Sequence, residues 1–100
     1  MEVTFADKTL DDLETNLHCK SRFDKSVVRA YRKLLQYVRD ASDERDLRAW
    51  PGKHFEKLLG NRAHQHSMKI DYQWRLVFEI EPSSPKNIIR VLSIENYHKG

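Results

Sequence analysis

Hydrophobic residues change their spacing halfway along this chain. Between Asp24 and Ala41, the residues Val27, Tyr31, Leu34 and Val38 recur every three or four positions, with Val28 and Leu35 widening the stripe. That period gathers them on one side of an α-helix, and Asp24 stands where an N-cap is expected. The opposite side carries Lys25, Arg29, Arg32, Lys33 and Arg39, the wet surface of a helix that must pack on something apolar. Beyond Gly60 the period is two. His66, Met68, Ile70 and Tyr72 alternate with Ser67, Lys69 and Asp71, and Leu76, Phe78 and Ile80 alternate with Arg75, Val77 and Glu79. Residues 88–94 form a third run of β-formers after a Pro-Ser-Ser-Pro turn at 82–85, so the C-terminal half reads as an antiparallel meander of three strands.

The N-terminal segment adds a short strand over 2–5 and, from Asp7, a short amphipathic helix carrying Leu10, Leu13 and Leu17 among acids that suit a helix N-terminus. Asp46 to Gly52 ends the helical pattern, because Pro51 disfavours helical backbone at Trp50 and Gly52 invites a turn. The resulting order, β-α-α-β-β-β, is that of an α+β fold. One hundred residues suit one domain spanning 1–100, and 39% apolar with 33% charged residues suits a folded domain with a polar surface. The single Cys19 has no internal disulfide partner and lacks the paired thiols of a zinc or redox site. No stretch approaches the roughly 18 apolar residues of a bilayer span, and the opening residues lack a secretory pattern. A cytoplasmic protein without a membrane partner is expected.

Charge is distributed unevenly. Residues 1–17 hold five acids against one base, a net of −4, whereas residues 45–75 hold seven bases against three acids, a net of +4 before three histidines are counted. A polyanion can dock on such a segment, although a solvated surface of mixed charge has the same composition. The chain contains no P-loop, GxSxG elbow, HExxH or GxGxxG sequence. His64 and His66 share a strand face without an acid or thiol beside them, so neither a metal site nor a cofactor is expected. What remains is Lys, Arg, His and Tyr on the strands and at the chain end. RNA cleavage by side chains needs such a set: a base for the 2′-hydroxyl, cations for the phosphate and an acid for the leaving 5′-oxygen.

Trp50-Pro51-Gly52, Phe55-Glu56-Lys57-Leu58, Gly60-Asn61-Arg62, Gln65-His66-Ser67-Met68-Lys69-Ile70, Gln73-Trp74-Arg75-Leu76-Val77-Phe78 and Glu95-Asn96-Tyr97-His98 follow in that order. Together they resemble the signature of the HigB toxins, plasmid-maintenance killer proteins of the RelE/ParE superfamily. The match covers roughly the last half of the chain; the N-terminal half matches only in layout. The resemblance implies a RelE-like fold, two helices packed on a small twisted antiparallel sheet, and a type II toxin that cuts mRNA on the ribosome. It also implies a HigA-like helix-turn-helix antitoxin as partner, with DNA contacted only through that antitoxin.

By position, Tyr97 and His98 match the family's functional C-terminal pair, Arg75 matches the arginine of its Trp-Arg strand, and Lys69 matches a basic strand residue. Each has a structural alternative: Tyr97 can close the core, and Arg75 can pair with Asp71 or Glu95. Trp74 and Phe78 read as packing residues. Two departures stand out. Asn96 replaces the usual acid, and the family's H-P-L-K-G arrangement is absent before Gly60. Lys57, His54 or His66 is the candidate substitute, His66 being preferred as a fourth catalytic residue beside His98, Tyr97 and Arg75. Lys69, Lys57, Arg62 and His54 then form the expected phosphate-binding set. Two other functions fit the same fold, a ParE-like gyrase inhibitor and a catalytically weakened member that only binds antitoxin or ribosome. The endonuclease reading requires Arg75 and His98 to lie on a common side of the sheet.

Overall fold

The architecture comes from a computed structural model that describes residues 1–16 and 21–97. Strand β1 (Val3–Phe5) leads into helices α1 (Lys8–Thr15), α2 (Lys25–Asp40) and α3 (Glu44–Ala49). There follow β2 (Glu56–Lys57), a 3₁₀ turn at Gly60–Arg62, β3 (His66–Lys69), β4 (Trp74–Glu81) and β5 (Ile88–Asn96). The five strands form one sheet in the order β1-β5-β4-β3-β2. The α+β architecture and the C-terminal meander are those expected, with three differences. The sheet is mixed, because β1 runs parallel to β5. A two-residue β2 adds to the edge of β3. The helical pattern extends through a third helix to Ala49 before Trp50 turns extended ahead of Pro51.

Each helix begins for an identifiable reason. The Asp7 carboxylate accepts the Leu10 amide at 3.1 Å, and that of Asp43 accepts the Arg45 amide at 2.9 Å, satisfying donors that a helix start leaves free. Asp24 does occupy the N-cap of α2, but it contributes only its backbone carbonyl, which accepts from Val27 and Val28. Helix α2 buries Val27, Tyr31, Leu34, Leu35 and Val38, as its period predicts. Tyr31 is fully buried, and its hydroxyl donates to the Leu10 carbonyl at 2.7 Å, locking α1 against α2. Arg39 clasps Glu14 through two hydrogen bonds of 2.9 and 2.7 Å, so part of the acidic N-terminal charge is neutralised within the fold. Leu17 and Cys19 lie outside the described residues.

The helices cover one face of the sheet. Met68, Ile70, Leu76, Phe78, Ile89, Val91 and Ile94 project into the shared core, and Trp74 packs edge-on against Phe23 at 5.0 Å. A bulge between Val77 and Phe78 inserts Leu92 into the β5 register, which keeps both halves of that strand facing the core. The opposite face carries Ser67, Lys69, Arg75, Val77, Ser93 and Glu95. Ser67 and Val77 are fully buried there, outside the helix-side core. Among the described residues no helix is long and apolar enough to cross a membrane.

Leu76 is completely enclosed where β4 meets the helix layer. Replacing it with Ala should destabilise the protein by about 2–5 kcal/mol, the usual cost of a buried leucine truncation, and chemical denaturation measures the loss.

Candidate active site

Strand pairing on the face opposite the helices brings three charged residues into one row. Lys69 lies across from Arg75, and Arg75 lies across from Glu95. Arg75 Nη2 stands 3.6 Å from Glu95 Oε1, and its guanidinium carbon is 5.7 Å from the centre of the Tyr97 ring. The Tyr97 amide donates to the Gln73 carbonyl at 2.7 Å, which holds the residue after β5 against the start of β4. From the 3₁₀ turn, Arg62 reaches the same carboxylate with Nη1 at 3.0 Å and Nη2 at 2.5 Å, while its Nε donates to Gln65 at 2.9 Å. Ser93 Oγ adds a hydrogen bond of 2.7 Å to Glu95 Oε2. A cleft of about 650 Å³ opens at this end of the sheet, lined by Arg22, Arg62, Trp74, Arg75, Glu95 and Asn96 among others.

The hydrogen bonds from Arg62 hold the Glu95 carboxyl below the usual carboxylate range, assisted by Ser93 and the positive charge of Arg75 and opposed by partial burial. Burial pushes the Tyr97 phenol upward, and the negative charge of Glu56 adds to the shift while Arg75 opposes it. Tyr97 is therefore a neutral donor near pH 7. Three buried polar atoms on this face, Ser67 Oγ, Arg75 Nε and Tyr97 Oη, have no hydrogen-bond partner among the described residues. Leaving such groups unsatisfied costs about 1–3 kcal/mol each, a cost that this face carries at three positions.

Of the residues expected to act, Arg75, Lys69, Arg62 and Tyr97 do converge. His98 lies outside the described residues. His66 and Lys57 require correction, because they pair with each other on the face that β3 turns toward the helices. Alternation separates His66 from Lys69, since three residues along a strand reverse the side. The His66 ring sits between Phe55 at 5.3 Å and Phe78 at 5.9 Å. Its pKa is lowered by burial first and then by the charges of Arg48 and Lys57, and its Nδ1 is buried without a partner among the described residues. His54 is exposed in a left-handed turn (φ 49°) ahead of β2, next to Lys53, whose carbonyl accepts the Lys69 amide.

Two carboxylates on this face were not among the expected site residues. Glu95 entered only as a possible structural partner of Arg75, and it proves to be the anion that both arginines share. Glu56 lies opposite Ser67 on the Arg75 side of the sheet, and it raises the Tyr97 pKa. A two-residue strand gives no readable alternation, so nothing in the sequence signalled which side Glu56 faces. Arg22 joins the cleft from the segment before α2, again without a local sequence cue.

Helices on one side of a small mixed sheet and an arginine-rich cleft on the other define a RelE-type toxin fold. A YoeB/ParE toxin from Agrobacterium tumefaciens superposes with a TM-score of 0.64 over 98% of this chain and 100% of that chain, at 18% identity. The YoeB-YefM complex from Staphylococcus aureus gives 0.60 over 98% and 97%, at 21% identity. Residues 3–91 match the family of HigB-like toxins, described as RelE-like toxins of type II toxin-antitoxin systems. Toxin HigB-1 of Vibrio cholerae serotype O1 is 32% identical over 79 residues, covering 79% of this chain and 83% of that protein. The chain belongs to the HigB-like toxin family.

Because the folded pKa of Glu95 is depressed, its ion pairs stabilise the protein above the ordinary carboxylate range, and that stability is lost as pH falls through the range and below it. Wild-type protein should lose about 1 kcal/mol in this window that a Glu95→Gln variant does not lose, after allowing for solvent screening of the partly exposed Arg62. Denaturant titrations at several pH values check the difference.

Proposed function

We propose that this toxin cuts mRNA held on the ribosome, using side-chain acid–base chemistry on the face that carries Arg75. The observation supporting it most directly is the convergence on Arg75 of Arg62, which lines the same cleft, of Lys69, its partner across the strand pair, and of Tyr97, whose ring it faces, with Arg75 Nε and Tyr97 Oη buried and without partners among the described residues. The substrate 2′-hydroxyl attacks the adjacent phosphorus, a new phosphorus–oxygen bond forms, and the bond to the 5′-oxygen breaks. The products are a 2′,3′-cyclic phosphate and a 5′-hydroxyl end. Lys69 and Arg75 hold the phosphate charge as it grows. The exposed carboxylate of Glu56, on the same face, takes the 2′-hydroxyl proton in place of His66. Tyr97, kept protonated by burial, donates to the departing 5′-oxygen. His98, the next residue, is the second proton-transfer group that the family resemblance implies.

An antitoxin of the HigA-like helix-turn-helix kind is the proposed partner. A structural neighbour is itself a toxin described in complex, YoeB with YefM. Repression of the operon would then place DNA on the antitoxin rather than on this chain.

Mapping of 5′-hydroxyl ends in cells expressing the chain should reveal cuts inside translated reading frames. Arg75→Ala should lower cleavage of mRNA on programmed ribosomes about 100-fold or more, and Glu56→Gln by a similar factor. Growth arrest with intact transcripts would count against the reading and toward gyrase inhibition, whereas unaffected growth with retained ribosome binding would fit a weakened member.

A further inference from the structure

Two of the cleft's arginines, Arg62 and Arg75, are already engaged. Glu95 presents two oxygens to Arg62 and accepts Ser93, while Arg75 approaches the same carboxylate from the neighbouring strand. A planar carboxylate and a phosphate take the same pair of guanidinium N–H groups, so Glu95 sits where an RNA phosphate would bind Arg62 and Arg75. The internal anion satisfies the cradle only partly. Arg75 Nε and Tyr97 Oη are buried and unpartnered among the described residues, although the Glu95 carboxylate stands 3.6 Å from Arg75 Nη2. A phosphate has more acceptor oxygens than a carboxylate and can reach donors that Glu95 leaves unused. The Glu95 side chain is 29% exposed at the cleft and lies near the end of β5, so rotation of its own torsions moves the carboxylate without disturbing the sheet.

We propose that Glu95 is an internal phosphate surrogate: it occupies the arginine cradle of the free toxin, and an RNA phosphate enters only by displacing it. The inference rests on the RNA-cleaving reading and concerns how that site is regulated. Free RNA at ordinary concentration competes poorly with a tethered carboxylate, whereas a strand held beside the cleft on the ribosome has a high effective concentration and displaces it. Selection for ribosome-bound RNA then follows in part from competition inside the toxin.

The test compares wild-type protein with Glu95→Gln, which keeps shape and removes charge. The probe is a single-stranded, 2′-O-methylated RNA oligonucleotide that cannot be cut, followed by fluorescence anisotropy over a salt series. Glu95→Gln should bind at least about tenfold tighter, with a steeper salt dependence corresponding to about one further phosphate contact. Adding Arg62→Ala to that variant should abolish the gain. Glu95→Ala substitutes if the glutamine variant does not fold. Equal or weaker binding by the charge-removed variant would overturn the proposal and make Glu95 an orienting group for the arginines. Cleavage of mRNA on programmed ribosomes separates the two readings. Tighter binding without cleavage by either protein keeps the surrogate and removes the endonuclease, while cleavage by wild type with no tighter binding does the reverse.

Discussion

Arg75 and Leu76 are neighbours in sequence and lie on opposite faces of β4, and nearly everything else follows from that separation. Leu76 joins Met68, Phe78, Ile89, Val91 and Ile94 beneath the helices, and a one-residue slip would place charges there instead. The core thus fixes the register of β3, β4 and β5. Once the register is fixed, the odd-numbered residues of β3 and β4 and those of β5 beyond Leu92 meet on the far side, bringing Lys69, Arg75 and Glu95 into one row. The cleft is a consequence of burying the other face. The Leu92 bulge belongs to the same account, since it lets both halves of β5 keep their apolar residues inward despite an extra position.

The cationic composition of residues 45–75 translates into a smaller site than the total charge suggests. Arg48 lies over the Phe55 ring at 4.6 Å, Lys53 over Trp50 at 4.9 Å, and Arg45 pairs with Asp43 at 2.8 Å. These are local contacts of ordinary surface cations with aromatic stems and a helix cap. Only Arg62, Lys69 and Arg75 share one face with an acceptor between them. The balance there is delicate, because two arginines and one glutamate leave positive charge while three other polar atoms remain unsatisfied.

Family membership and site geometry inform each other without being interchangeable. The match to HigB-like toxins spans residues 3–91, so it ends before Asn96, which lines the cleft, and Tyr97, whose ring faces Arg75. The fold shared with the YoeB/ParE toxin accounts for how the strands are laid out, and at 18% identity it carries nothing further. What this chain's own strand register decides is position: it puts Glu56 on the face of Arg75 and His66 on the other.

Sequence by itself determined the period of each element. The α2 stripe, the alternation of β3 and β4 and the Pro51 stop are short-range properties, set by backbone geometry within a few residues. It also marked Arg75 and Tyr97 through an ordered set of motifs. Tertiary structure alone decided which charges meet. Arg62 and Glu95 are 33 positions apart, and no local pattern states that a 3₁₀ turn will carry the first over the sheet to the second. The same holds for the side faced by Glu56 and for the enclosure of His66 between Phe55 and Phe78. Those outcomes depend on which strands become neighbours and in what register, quantities that the packing of the whole core settles.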